Sequence, residues 1–189
     1  MGAFNCQGGG WNPQSRKNKC ASECSRAITA KAKPADVEWK NGKSPIPIQA
    51  VKLFAVYSFR AKNLVLLKPE EEFEVTLDPF NYELFVVSPV KSVPAVKRSD
   101  VQFAPIGLVN MLNTGGAIQS VEFGDEMSEV AVKIAVKGAG EMKVYSSERP
   151  AGCRINGEEA RFVYEESMVT VEVPWSGSST KHCFVEYLY

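Results

Sequence analysis

The sequence predicts an all-β protein, an antiparallel β-sandwich of the Greek-key type, on three observations. Short segments with alternating apolar residues recur along the chain. Turn-forming residues separate them about every 8–12 residues, which is typical of sandwiches. The composition, 44% hydrophobic and 23% charged, is that of an ordinary globular domain.

The first clear strands lie between residues 50 and 90. Residues 51–58 form a segment that is apolar on both faces, which predicts a fully buried strand. In residues 73–77, Phe, Val and Leu alternate with Glu and Thr, which predicts a half-exposed strand. A further strand is predicted over residues 82–87, closed by Ser88-Pro89.

The second half of the chain continues the pattern. Asn156-Gly157 can take positive φ at both positions, so residues 153–162 are predicted to form a type I′ hairpin. Residues 105–113 are predicted as the one short helix, ended by Gly115-Gly116. Further strands are predicted over residues 130–136, at Met142 and Val144, over 169–173 and over 183–189.

The first part of the chain shows weaker patterns. Residues 1–34 look irregular, and residues 23–33 stay ambiguous between helix and other structure. Asn41-Gly42 predicts a turn, and Pro45 and Pro47 predict an extended edge.

Charge and cysteine content limit the classes of function that the sequence allows. Lys plus Arg and Asp plus Glu both total 22, so the sequence predicts no nucleic-acid or membrane partner. No apolar run of about 18 residues is present, and the first residues do not resemble a signal peptide. Five cysteines, an odd number, favour free, buried, inert thiols in a reducing, cytoplasmic compartment. We expect no metal and no cofactor, since the Cys20/Cys24 pair lacks a second pair of ligands.

No self-contained active site is evident from the residue types. Acidic pairs such as Glu158-Glu159 fit solvated strand ends better than a catalytic pair. His182 is the only histidine, and the basic residues Arg16, Lys17 and Lys19 fit a solvated loop. Gly8–Gly10 lacks the spacing of a phosphate loop, and Trp11 fits either a tight turn or a sugar platform.

Seven motifs run in order through almost the whole chain. They are residues 4–11 (FNCQGGGW), 36–39 (DVEW), 77–84 (LDPFNYEL), 103–113 (FAPIGLVNMLN), 138–145 (GAGEMKVY), 173–175 (VPW) and 185–189 (VEYLY). These motifs resemble those of the plant raffinose synthase family, the galactinol–sucrose galactosyltransferases of glycoside hydrolase family 36. Residues 19–24 (KCASEC) look more like raffinose synthase than its α-galactosidase relatives.

The resemblance implies a fragment of a longer enzyme. Members carry a catalytic (β/α)₈ barrel before a C-terminal β-sandwich, and transfer galactose from galactinol to sucrose by double displacement through two aspartates. Residues 1–34 would be the barrel-end remnant, with the last barrel strand and a linker, and residues 35–189 the sandwich. The missing barrel would be the chain's partner, and galactosides and sucrose-type sugars its ligands. Both catalytic aspartates would precede Met1, so no catalytic role passes to Asp36, Asp78, Asp100 or Asp125.

The resemblance also places candidate substrate-binding residues at the barrel end. If residues 2–6 are the last barrel strand, Asn5, Cys6, Gln7 and Trp11 line or border the sugar pocket, because barrel sites lie at the C-terminal ends of strands. The equal alternative is a turn that only joins barrel to sandwich. Asn12 stands where the family usually has cysteine. A second hypothesis is a stand-alone carbohydrate-binding or structural interaction module, with Trp11, Trp39 and Trp175 as candidate platforms.

Overall fold

A computed structural model describes residues 1–20, 25–37, 40–41, 44–45, 48–93, 100–124, 131–175 and 182–189. Contacts divide the chain into two compact units: unit 1 comprises residues 1–52 and 56–87, and unit 2 comprises residues 53–55 and 88–189. Within the described ranges, the helical segments are 3₁₀ turns at Pro34–Asp36, Ile48–Ala50 and Gly115–Ala117. None of the described helices has the length and apolar character needed to cross a membrane.

Unit 1 contains small antiparallel sheets. Strands β1, β10, β7 and β8 form a four-stranded sheet in that order, and three pairs (β2–β3, β4–β9 and β5–β6) form two-stranded sheets. The strands are β1 (Gly2–Phe4), β2 (Gly10–Asn12), β3 (Lys17–Lys19), β4 (Ile28–Ala32), β5 (Lys40–Asn41), β6 (Ser44–Pro45), β7 (Phe54–Ser58), β8 (Asn63–Leu67), β9 (Phe73–Leu77) and β10 (Tyr82–Pro89). The first two residues of β7 and the last two of β10 are assigned to unit 2.

The core of unit 1 lies between β7, β8, β9 and β10. Val56, Leu67, Val75 and Phe85 are buried there, and Phe73 contacts Phe85 edge-on. Residues 54–57 are all buried, which confirms the prediction of a strand apolar on both faces, although it begins at Phe54 and not near residue 50.

Unit 2 is a β-sandwich, and the all-β prediction is confirmed. Its two five-stranded antiparallel sheets have the orders β11-β12-β15-β19-β18 and β13-β14-β20-β16-β17. The strands are β11 (Lys91–Val93), β12 (Val101–Leu108), β13 (Ile118–Phe123), β14 (Val132–Val136), β15 (Gly140–Ser146), β16 (Gly152–Ile155), β17 (Glu158–Glu159), β18 (Phe162–Glu165), β19 (Met168–Val173) and β20 (Cys183–Leu188).

The two sheets of unit 2 enclose one apolar core. Phe103, Val144 and Val171 face it from one sheet, and Ile134 and Val185 face it from the other. All five side chains are fully or almost fully buried. The valine faces predicted from the alternating pattern therefore form the core, as expected for sheets that each bury one face.

The predicted hairpin is confirmed. Asn156 and Gly157 have φ values of 53° and 86°, as a type I′ turn requires. The Asn156 Oδ1 accepts a hydrogen bond of 2.9 Å from the backbone N–H of Phe184 on β20, so the turn is also tied to the neighbouring strand.

The predicted short helix over residues 105–113 is wrong. Residues 101–108 are strand β12, and a turn follows before Gly115–Ala117. Pro105 pairs with Val144 and Gly107 with Lys143, with a bulge between them. Gly107 has φ of 116°, which no right-handed helix contains, so pairing with β15 overrides the local helix signal.

Other expectations meet mixed outcomes. Residues 28–32 of the ambiguous segment form β4. Cys153 and Cys183 are buried free thiols as predicted, but Cys6 and Cys20 are exposed, because each lies outside both apolar cores. Outside the described residues lie Cys24, Trp39, Gly42, Pro47, Asp125 and Val130.

Candidate functional site

The four candidate residues lie in the first segment of unit 1. β1 pairs antiparallel with β10, with Gly2 opposite Leu84 and Phe4 opposite Tyr82. The ladder ends where the backbone N–H of Asn5 donates to the carbonyl of Asn81 at 2.9 Å. The chain then leaves the sheet towards Cys6 and Gln7, so Asn5 marks the turning point.

The side chain of Asn5 is buried and fully engaged. Only 3% of the residue is exposed. Its Nδ2 donates to the carbonyls of Arg26 at 2.8 Å and Leu77 at 2.9 Å, and its Oδ1 accepts from the N–H of Gln7 at 3.1 Å. Asn5 therefore fixes the path of the residues that follow it, and both of its amide protons are already used.

Cys6 and Gln7 lie nearer to solvent. Cys6 is an exposed free thiol. The Oε1 of Gln7 accepts a 3.2 Å hydrogen bond from the Arg26 Nε. Its amide NH₂ has no hydrogen-bond partner among the described residues, so this group can donate to a ligand.

Trp11 lies on the short β2–β3 hairpin. Gly10 pairs with Lys19, and Trp11 pairs with Asn18. Trp11 is 62% exposed and borders an open cavity of about 280 Å³, whose lining residues are Gly9, Gly10, Trp11, Asn12, Pro13 and Lys19. An exposed indole beside an amide and an ammonium is suited to stacking on and donating to a sugar ring.

Sequence reasoning missed a second group of aromatic side chains beside Asn5. Phe4 stacks on Tyr82 with ring centroids 6.0 Å apart, and the Arg60 guanidinium lies 5.0 Å from the Tyr82 centroid. Phe80 is 66% exposed with φ of 61°, although its side chain is bulky. The Asn81 N–H donates to the Asp78 carbonyl and closes a turn at residues 78–81. Pro79, at the second position of this turn, was the sequence signal that could have predicted it.

The described carboxylates that form hydrogen bonds serve the backbone and nearby side chains. Buried Glu83 accepts from the N–H groups of Arg60 (2.8 Å), Ala61 (3.1 Å) and Leu84 (2.9 Å), so it holds the turn after β7. Asp36 accepts from the Lys33 N–H at 2.9 Å, and Asp100 accepts from the Ser92 hydroxyl at 2.6 Å. These roles are structural.

The remaining reactive groups fall into two classes. His182 is exposed, and the adjacent Cys183 is buried, so their side chains lie in different environments. Burial raises the pKa of the Cys153 thiol to about 12, and also raises the pKa values of Tyr187 and Tyr189. Cys153 is therefore a protonated, unreactive thiol, since the thiolate is the nucleophile.

Comparison with known proteins identifies the class. The family model described as raffinose synthase or seed imbibition protein Sip1 matches residues 1–173, and the chain belongs to this family. Since that match covers most of the chain, it confirms the resemblance drawn from the sequence motifs.

Individual relatives sharpen the comparison. The chain is 52% identical over its full length to a galactinol–sucrose galactosyltransferase of Pisum sativum, and 51% identical to one of Oryza sativa subsp. japonica. It is 34% identical over 93% of its length to stachyose synthase of Pisum sativum. The chain spans about 23% of the length of the two galactosyltransferases, so it corresponds to part of a raffinose synthase-like enzyme.

Proposed function

We propose that this chain is the C-terminal β-sandwich part of an enzyme that transfers galactose from galactinol to sucrose. The observation that carries the proposal is the 51–52% identity over the whole chain to two galactinol–sucrose galactosyltransferases. The fold supports it as well, because a β-sandwich can be the accessory domain of an enzyme whose chemistry takes place in another domain.

Within that enzyme, the segment from Asn5 to Trp11 borders the sugar pocket. Asn5 acts as a positioning residue, because its amide is used to hold the backbone of Gln7. Gln7 donates through its available NH₂, Cys6 lies against the pocket wall, and Trp11 supplies an apolar face for a sugar ring.

The proposal extends to partner and compartment. The rest of the parent enzyme, with its catalytic barrel, is the partner of this chain, and residues 1–34 are its connection to the sandwich. We place the enzyme in the cytoplasm, because the four cysteines that the structure describes are free thiols, as a reducing compartment maintains them.

The test uses a hybrid enzyme, the pea galactosyltransferase with its matching segment replaced by these 189 residues. We expect the hybrid to form raffinose from galactinol and sucrose. Gln7→Ala should raise KM or lower kcat by about tenfold, the effect of one lost hydrogen bond of about 1.4 kcal/mol to a polar ligand. Gln14→Ala, at an exposed site on the β2–β3 hairpin, is the matched control and should leave both constants unchanged.

Two results would contradict the proposal. An inactive hybrid that is folded and binds no galactinol would remove the assignment to this enzyme. Unchanged kinetics for Gln7→Ala would leave the assignment but remove the pocket role of the segment. The isolated chain should form no raffinose, because the positioned carboxylates that drive the reaction are outside it.

A second candidate function rests on the exposed tryptophans. Trp11 is 62% exposed and Trp175 is 69% exposed, which also fits a stand-alone carbohydrate-binding module. Titration of the isolated chain with raffinose, followed by tryptophan fluorescence, separates the two functions. Saturable binding that Trp11→Ala or Trp175→Ala abolishes would favour the module.

A further inference from the structure

The loop after β12 presents two apolar side chains to solvent. We call residues 109–114 the Met–Leu loop, which runs from the end of β12 to the 3₁₀ turn Gly115–Ala117. Leu112 is 65% exposed and Met111 is 37% exposed, and they are adjacent at the loop's tip. A single exposed leucine is ordinary on a protein surface, so the conformation of the loop decides its meaning.

Hydrogen bonds hold this loop at both ends and across its middle. The Val109 N–H donates to the Glu141 carbonyl at 2.8 Å, and the Leu108 N–H donates to the Thr114 carbonyl at 3.2 Å. Thr114 is buried, and its hydroxyl donates to the Met111 carbonyl at 2.8 Å. The backbone that carries Met111 is therefore fixed from inside the loop.

Glycines allow the neighbouring strands to approach the loop closely. A Cβ on Gly107 would overlap the carbonyl of Thr114, and a Cβ on Gly140 would overlap the side-chain amide of Asn110. Both glycines have left-handed φ values, 116° and 122°. The loop is thus ordered before anything binds to it, which lowers the entropic cost of an interface.

The charge of the loop indicates the chemistry of its partner. Residues 109–117 carry no charge, in a chain of which 23% is charged. An anionic lipid surface or a nucleic acid would call for basic residues beside the apolar tip. The uncharged, apolar tip of the loop fits an apolar, uncharged recess on a protein instead.

The small area of the tip indicates whether its protein partner is a separate chain or another part of the same polypeptide. Two aliphatic side chains bury on the order of 200 Å², whereas a stable complex of separate chains needs about 1,200 Å² or more. A small contact is sufficient within one polypeptide, where the connection supplies a high effective concentration. The chain spans about 23% of the length of its galactosyltransferase relatives, so most of such a polypeptide lies outside these residues.

We propose that the Met–Leu loop is a preformed docking contact, which inserts Leu112 and Met111 into an apolar recess on the remaining part of the parent galactosyltransferase. The inference rests on the proposed function in one respect, the assignment of the chain to that longer enzyme. The loop contributes to the association of the two parts and takes no part in the chemistry of transfer.

Methionine oxidation tests the contact directly. The isolated chain and the hybrid enzyme are treated with dilute hydrogen peroxide, and sulfoxide at each methionine is followed by mass spectrometry. We expect Met111 to oxidise at least tenfold more slowly in the hybrid. Met168, which is half-buried on β19, and Met142, which is fully buried, serve as matched controls whose rates stay unchanged.

A variant gives a second readout. Leu112→Asp should restore fast oxidation of Met111 in the hybrid, while Val163→Asp, at an exposed site on β18, should not. Equal Met111 oxidation in the isolated chain and the hybrid would overturn the proposal. If Met111 in the isolated chain oxidises more slowly as the protein concentration rises, a second copy of the chain covers the loop, and the proposal would also be overturned. Raffinose formation is measured separately, so failure of the proposed activity is distinguishable from failure of the contact.

Discussion

Replacing Asn5 with alanine should destabilise unit 1 through the loss of its three side-chain hydrogen bonds. The bonds join Asn5 to the carbonyls of Arg26 and Leu77 and to the N–H of Gln7. Arg26 and Leu77 lie at one end of the β4–β9 ladder, where Ile28 pairs with Leu77. The amide of Asn5 therefore connects the first segment of the chain to that ladder.

The magnitude follows from the bonds. Each contributes a net stabilisation of about 1 kcal/mol, and three give a loss of about 3 kcal/mol. With a urea dependence of about 1–3 kcal/mol per molar, the unfolding midpoint should fall by roughly 1–3 M. Asn5→Asp should be at least as harmful, because a carboxylate oxygen would face the two carbonyl oxygens.

The assay combines urea unfolding with hydrogen exchange on peptides that cover β9. Exchange there should accelerate in Asn5→Ala, and Asn18→Ala, at an exposed site on β3, should change the free energy of unfolding by less than about 0.5 kcal/mol. A change below that value for Asn5→Ala would refute the reasoning. Such a small change would mean that water replaces the hydrogen bonds of the Asn5 amide without a loss of stability.

Three further predictions concern unit 2, and unfolding in urea measures each. Gly107→Ala should cost at least about 3 kcal/mol because its Cβ meets the Thr114 carbonyl, whereas Gly157→Ala, with open space around it, should cost only about 1–2 kcal/mol for its left-handed φ. Asn156→Ala should cost about 2 kcal/mol, from a lost bond to Phe184 and its left-handed φ, and Asn156→Gly less, since glycine keeps that conformation. Equal losses in either pair would contradict the backbone argument. Burial raises the pKa of Cys153 to about 12, so the folded chain keeps a proton that the unfolded thiol releases near pH 8.5. The stabilisation from this retained proton is therefore complete below about pH 8.5, and the free energy of unfolding should fall by about 1.4 kcal/mol per pH unit between there and pH 12. In Cys153→Ala, the fall in the free energy of unfolding over this range should be shallower by that amount.

The elements predicted correctly are those whose signal is local. Asn156-Gly157 predicts its turn because few residue pairs accept two positive φ values. Residues 169–173 predict β19 because alternating valines fit one buried face. In contrast, Pro105 to Asn113 lacks a local signal for the bulged pairing with β15, and β4 is defined by its partner β9, where the Thr29 and Thr76 hydroxyls lie 2.8 Å apart.

The candidate site was less predictable for the same reason. The sequence places Asn5 beside Gln7, but the partners that bury its amide lie 21 and 72 residues away. Trp11 is exposed, as a platform requires, although its residue type alone fits either environment. The exposed Phe80 could have been suspected from the preceding Pro79, since proline favours the second position of a turn.

The position of β8 at the edge of its four-stranded sheet has a consequence for handling the protein. Its central residues, Leu64, Val65 and Leu66, are uncharged, and Val65 and Leu66 are exposed. Among the described residues, no strand pairs with the outer side of β8. Such an edge is a template for a strand from another molecule, and it is flanked by lysines at 62 and 68, whose charge opposes that addition. High salt screens the repulsion between these lysines on neighbouring molecules. Concentrated stocks are therefore best kept at low ionic strength, where the two lysines oppose aggregation most strongly.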